Sequence, residues 1–311
     1  MERLSLTENA LLPKLKLFLA LSRTPHGLLD LATPGLAALL CLGGFPSLGV
    51  TALGLITVFA GYTAVYALND VVDYRTDQTK IREGGLTGEG YLDGVMVRHP
   101  MAQGLLSFKE GLTWAVAWAA VALLGAYLLN PVCALIFILG FVLEAVYCSL
   151  LEISHWRVLV SGVVKTLGGV AAVFAVNPNP APVFLVLLFL FVFFWEIGGQ
   201  NVPADWTDIE EDRRWHAKTV PVHYGPADSC RIILVSLVLA VILLFPLMAI
   251  SPLRFSWGLL VLAGAAGIYL LIIPAVRLYR SRERSQAMAL FNKASYFPLA
   301  VLVITLVALL D

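Results

Sequence analysis

Residues 48–80 read LGVTALGLITVFAGYTAVYALNDVVDYRTDQTK. The stretch 48–68 is almost wholly apolar and long enough to cross the hydrocarbon of a bilayer as a helix. It runs straight into Asn69, Asp70, Asp73 and Asp77, four acidic or amide side chains in nine positions. If the helix continues, positions 69, 73 and 77 fall at i, i+4 and i+8 on one face, with 70 beside them. Like charges stacked this way repel and weaken a helix, so that face calls for a cation.

The rest of the chain is equally greasy. Of its 311 residues, 59% are hydrophobic and 14% charged, with a mean hydropathy of +0.84. That is too little polar surface for a soluble body of this length and predicts a polytopic membrane protein. A formal net charge of zero excludes the broad basic field of a nucleic-acid binder. Cys41, Cys133, Cys148 and Cys230 show no paired spacing and read as small hydrophobes. The N-terminal MERLSLTENALLPKLK lacks the apolar core and cleavage site of a signal peptide.

Nine segments qualify as spans, at about 26–44, 48–68, 111–129, 131–151, 158–177, 182–200, 231–250, 256–278 and 287–310. Tight turns such as GGFPS (43–47) and NPNPAP (177–182) join several of them, which predicts one intramembrane unit over residues 1–311. With the N-terminus inside, eighteen of the 21 Lys and Arg lie in inside segments and only Arg254 in an outside turn. Lys165 and Lys293 lie within spans. The positive-inside rule then places the N-terminus and both long loops, 69–110 and 201–230, in the cytoplasm and Asp311 outside. The expected compartment is a bacterial inner membrane.

The second long loop is entered through WEIGGQNVPADWTDIEEDRR, where Asp205, Asp208 and Asp212 are spaced i, i+3, i+7. Glu210 and Glu211 read as solvent-facing neighbours. Two acidic faces thus reach the same side of the membrane. Hard divalent ions favour such oxygen ligands, and magnesium pairs one or two carboxylates with substrate phosphates. Metal, diphosphate and an apolar tunnel behind them suggest a prenyl diphosphate as substrate.

NDVVDYRTD (69–77) and DWTDIEED (205–212) resemble the two motifs of the UbiA-type intramembrane prenyltransferases, NDxxDxxxD after the second helix and DxxDxxxD after the sixth. RHPMAQGLLS (98–107) and AKTVPVHYG (217–225) are similar to further segments of that family. The resemblance implies an all-α fold of nine helices around a central cavity under a cytoplasmic cap. It implies two Mg2+ ions bridging the diphosphate, with Asn69, Asp73, Asp77, Asp205, Asp208 and Asp212 as ligands or holding ligating waters; Asp70 matches the motif too. The chain departs where many members carry Arg and Lys: Tyr74 precedes Arg75, and Leu151 stands four residues after Tyr147.

A charge at span depth is a functional candidate, so Lys165 is the substitute cation, unless it pairs with Glu144 or Glu152. Lys218, Arg75, Lys80, Arg82 and Arg98 are candidates for the phosphate oxygens, or for lipid headgroups. Tyr62, Tyr66, Tyr147, Phe194 and Trp195 are candidates for the π-rich walls of a carbocation. Arg23, His26 and Asp30 are placed to meet a lipophilic acceptor. An aromatic quinone precursor is the commonest acceptor in such families; a glycerophosphate lipid, a tetrapyrrole, or internal quenching by a terpene cyclase are alternatives. A cation or lipid transporter competes from another class, but transporters put their ionisable groups near the midplane.

Overall fold

The computed structural model describes residues 11–83, 94 and 96–310; residues 1–10, Asp311 and most of the tip of the first long loop lie outside them, and with them the expectations for those segments. Among the described residues every regular element is helical. Nine helices among the described residues are long and apolar enough to cross a membrane: α1 (Thr24–Leu42), α2 (Leu48–Val72), α3 (Phe108–Leu129), α4 (Pro131–Ser149), α5 (Arg157–Val176), α6 (Pro182–Thr207), α7 (Val220–Ile250), α8 (Trp257–Ser281) and α9 (Arg284–Leu310). The expected spans are all present.

Local chemistry sets their starts. Ser47 caps α2 by accepting from the Val50 N–H, and Ser256 does the same for α8 through Leu259. Ser107 and Glu110 form a reciprocal capping box at α3, and Asn130 with Pro131 opens α4. The largest differences from expectation fall on the motif side. α6 runs on past residue 200 because a π-helical turn, Glu196–Asn201, joins it to Val202–Thr207. α7 begins at Val220 and bends at Gly225, whose φ of 77° lies in the left-handed region that glycine tolerates best. Its polar first turns, with His223, Asp228 and Arg231, hide it from a hydropathy reading.

Successive spans pack side by side, α9 closes back onto α1, and α1 also packs against α5 across the ring. The ring is therefore divided. α1 and α5 to α9 enclose a solid apolar core that includes Leu36, Phe191, Ile233, Leu237, Leu244 and Phe297. α1 to α5, with the motif end of α6, instead surround a cavity of about 750 Å3 whose mouth is lined by the motif segments. Ile56, Leu124, Leu135, Val186 and Val235 point outward and exposed, the face a bilayer would cover. All four cysteines are free thiols; the Cys133 Sγ–H donates to the Ala171 carbonyl between α4 and α5.

The π-turn is locked into place. Trp195 Nε1 donates to the Ala294 carbonyl at 3.0 Å, and Ser295 donates to Gln200 Oε1 at 3.2 Å. A methyl group added at Gly198 would lie 2.8 Å from the Ile233 carbonyl oxygen on α7, backbone that cannot step aside. Gly198→Ala should destabilise the purified protein by about 1–3 kcal/mol of overpacking, read as a lower melting temperature. Gly54→Ala, whose added methyl would meet nothing within 4 Å, should not lower it, since alanine in a helix interior is favoured over glycine.

Candidate functional site

Each acidic motif breaks at its central aspartate, which corrects the expectation of one continuous helical face. Asp73 (φ −84°, ψ 1°) separates α2 from the short helix Tyr74–Arg82. Asp208 (φ −109°, ψ 11°) separates α6 from Ile209–Arg214. Each break eases the stacking of like charges and lets the downstream acid reach a partner outside its own helix.

The two motifs converge. Lys80, on the short helix after α2, has its Nζ 3.9 Å from Glu211 Oε1 on the helix after α6. Arg98 reaches Asp208 at 3.4 Å. Asp70, Asp73, Asp77, Asp205 and Asp208 all line the mouth of the same cavity. Glu211 lines it too, so only Glu210 keeps the solvent-facing place expected of both.

Cations hold this mouth together. His99 Nδ1 lies 2.8 Å from Asp77 and 3.2 Å from Asp70, and Arg23 approaches Asp70 at 3.7 Å. Arg23 and His99 both have left-handed backbones, with φ of 45° and 49°, a strain typical of functional sites. Burial disfavours a charged His99, but Asp70 and Asp77 outweigh it and raise its pKa to about 9. Burial, then the charge of Asp77, pushes Asp73 up to about 6. Burial also opposes ionisation of Asp77, yet His99 holds its pKa below the usual value.

Arg157, at the start of α5, is buried with its guanidinium 4.0 Å from the Tyr147 ring centre and 3.6 Å from Asp205. Its Nε has no hydrogen-bond acceptor. Lys165 lies eight residues further along α5, about 12 Å deeper. It pairs at 2.6 Å with Asp30, rather than with Glu144 or Glu152, and the Tyr66 hydroxyl donates to the same carboxylate oxygen. His26 stands 3.9 Å from Asp30. Arg157, not Lys165, is thus the cation beside Asp205 and Tyr147.

Other expected residues fall elsewhere. Arg75, Arg82 and Lys218 are exposed and do not line the cavity; their long polar side chains sit on outward faces of short surface segments. Lys218 instead ties the loops together through its backbone N–H, which donates to the Leu151 carbonyl at 2.7 Å. Trp195 is packed in the apolar core with its N–H on α9. Asp212 is buried, accepts from the Thr219 hydroxyl at 3.0 Å and lies outside the cavity lining. Asn69 faces the cavity and donates to Glu144 at 2.9 Å. Tyr62, Tyr66 and Tyr147 line the wall.

The residues present suit a hard divalent ion. The donors at the mouth are carboxylate oxygens, and Asp205 Oδ2 is buried with no hydrogen-bond donor. Sequence reasoning passed over His99, Arg157, Glu144, Glu196 and Asn201 as site residues. Glu144 and Glu196 were findable as charges inside apolar runs, and His99 sits beside Arg98. Arg157 looked like one more interfacial cation.

The chain matches the UbiA prenyltransferase family over residues 31–302. A digeranylgeranylglyceryl phosphate synthase of Thermococcus kodakarensis is 25% identical over 273 residues, 88% of this chain and 90% of the relative. A UbiA homologue from Aeropyrum pernix K1 shares the fold with a TM-score of 0.71 at 19% identity, covering 92% of this chain and 97% of its own. One from Archaeoglobus fulgidus, solved with DMAPP and Mg2+, gives 0.68 at 17% identity, covering 94% and 98%. A chain with this match and nine such helices belongs to the UbiA prenyltransferase family and is a multi-pass membrane prenyltransferase.

Proposed function

We propose that this protein transfers a prenyl group, with magnesium, from a polyprenyl diphosphate to the hydroxyl of a lipid acceptor of the prenylated glyceryl phosphate class. The observation that carries the reading is one cavity with carboxylates and cations at its mouth and apolar walls behind. The relative's name supports the acceptor: digeranylgeranylglyceryl phosphate carries two prenyl groups on a glyceryl phosphate, so the last is added to a hydroxyl. This replaces the aromatic quinone precursor as the acceptor to test first.

Asp73, Asp77, Asp205 and Asp208 would hold magnesium, with Asn69 and Asp70 beside them. Magnesium supplies charge neutralisation for the diphosphate. Asp212, fastened by Thr219, orients the second motif from behind. Arg157, Lys80 and Arg98 face the diphosphate oxygens, where preorganised positive charge favours the leaving group as the allylic C–O bond breaks. Tyr62, Tyr66 and Tyr147 exclude water and offer π faces to the developing allylic cation. The prenyl chain lies along α1, α2, α4 and α5, where Gly54, Gly61, Gly168 and Ala172 make room. The excess of Lys and Arg on one side supports a cytoplasmic N-terminus and motif face.

Purified protein is assayed for diphosphate release from geranylgeranyl diphosphate, with geranylgeranylglyceryl phosphate as acceptor. Wild type should require Mg2+, and Asp73→Asn or Asp208→Asn should each cut turnover at least about 100-fold, the scale of a lost transition-state charge contact. Turnover unaffected by EDTA and by both substitutions would sink the metal assignment. Product formed without any acceptor would assign a cyclase instead.

Arg157→Gln should reduce kcat by about 10²–10³-fold, while Lys218→Gln, on the exposed surface, should change it less than about 2-fold. Ala172→Phe should suppress transfer from geranylgeranyl diphosphate and spare dimethylallyl diphosphate, because the bulk falls inside the apolar end of the cavity. Equal loss with both donors would place the chain elsewhere.

A further inference from the structure

Within the cavity wall, one carboxylate has no role in holding the motifs. Glu196 opens the π-turn of α6, is 7% exposed and lines the cavity. Ser161 on α5 donates to its Oε1 at 2.8 Å, while Oε2 is buried with no donor. A carboxylate oxygen left unsatisfied at such depth costs free energy unless something supplies a proton donor. Two further groups on the same wall are also incomplete. Asn201 donates to the Tyr147 hydroxyl at 2.9 Å, but its Oδ1 has no donor. The Tyr62 hydroxyl is buried with no partner. By contrast, Asp30 is satisfied by Lys165 and Tyr66. The charged groups that act on Glu196 are Lys165, Asp30 and Glu144. π-turns inside α-helices are rare and concentrate at functional sites; this one presents both Glu196 and Asn201 to the cavity.

Placement gives the deficit a meaning. Glu196 precedes Asp205 by nine residues on the same span, about 13 Å toward the membrane interior. A displacement at carbon puts the incoming oxygen on the side of the allylic carbon away from the diphosphate. With the diphosphate at the aspartates, that side faces Glu196. A metal–oxygen bond of about 2 Å, a near-attack separation of about 3 Å and a hydrogen bond of about 3 Å, with the diphosphate between, fit a gap of this size.

We propose that Glu196 is the catalytic base that takes the proton of the acceptor hydroxyl, in a subsite where the Tyr62 hydroxyl donates to an oxygen of the acceptor. The inference rests on the transfer reaction proposed above. The acceptor oxygen forms a bond to the first carbon of the prenyl group as the bond from that carbon to the diphosphate oxygen breaks. The electron pair of the broken bond leaves on the diphosphate. The hydroxyl proton passes to Glu196 Oε2, while Ser161 remains on Oε1. No oxidant or further reactant enters.

The test uses the full chain in nanodiscs, with geranylgeranyl diphosphate as donor, geranylgeranylglyceryl phosphate as acceptor and saturating Mg2+. Glu196→Gln, nearly the same shape, should lower kcat about 100-fold or more, the usual worth of a general base. Its Mg2+-dependent binding of the donor should stay within about 2-fold of wild type, and Glu196→Asp should recover part of the lost turnover. Glu196→Gln turning over within about 5-fold of wild type would overturn the assignment. So would Glu196→Gln losing donor binding together with turnover, or Glu196→Asp being no better than Glu196→Gln, since either marks a role in packing. Wild type that transfers nothing to this acceptor would overturn the proposed reaction and this inference together, whereas an active wild type with an equally active Glu196→Gln removes only the base.

Discussion

The structure turns on carboxylates gathered at the mouth of an apolar cavity. Asp70, Asp73, Asp77, Asp205 and Asp208 line one opening, and at these separations like charges in a medium poorer than water repel strongly. Protein cations offset part of this: His99 between Asp70 and Asp77, Arg23 on Asp70, Arg98 on Asp208, Arg157 on Asp205 and Lys80 on Glu211. What they leave includes an Asp205 oxygen with no donor, a deficit of the kind that a divalent ion would fill.

The rest of the architecture holds that mouth in place. The dense half of the ring, α1 with α5 to α9, packs α6 between α5 and α7 and ties its π-turn to α9 through Trp195, Gln200 and Ser295. Arg284 at the start of α9 donates to the Thr207 carbonyl at 2.7 Å, capping the end of the span just before Asp208. The open half, with glycine and alanine on its inner faces, is free to hold hydrocarbon. The buried Asp30–Lys165 pair stands in this wall; pairs of this kind cost on the order of 3–5 kcal/mol when one partner is removed. That makes it a fixed polar post inside the hydrocarbon region.

The same asymmetry separates two polar levels. The outer level carries the carboxylates, Arg157 and the surface lysines and arginines. The inner level carries Glu196, Tyr62, Tyr66, Asp30 and Lys165, joined to the outer by the Tyr147–Asn201 hydrogen bond. A diphosphate suits the first, with its metal-type ligands. A hydroxyl suits the second, with its unsatisfied acceptors.

The sequence by itself determined the nine spans, their all-helical class and the pairing of two acidic motifs on one side. These follow from local properties: length of apolar run, capping residues and the spacing of carboxylates along one helix. Only the tertiary structure decided which cations serve the site. Lys165 read as a charge within the fifth span and Arg157 as one more cation at its inside end, and nothing local tells that the first meets Asp30 from α1 while the second covers Tyr147 from α4. Arg75, Arg82 and Lys218 were near the motifs in sequence but turn outward, while Lys80, on the same short helix as Arg75 and Arg82, faces the cavity. Trp195 and Asp212 left the cavity for the same kind of reason: which face of a span looks inward is set by the neighbours packed against it, and those neighbours come from distant segments, such as Ala294, 99 residues on, against Trp195.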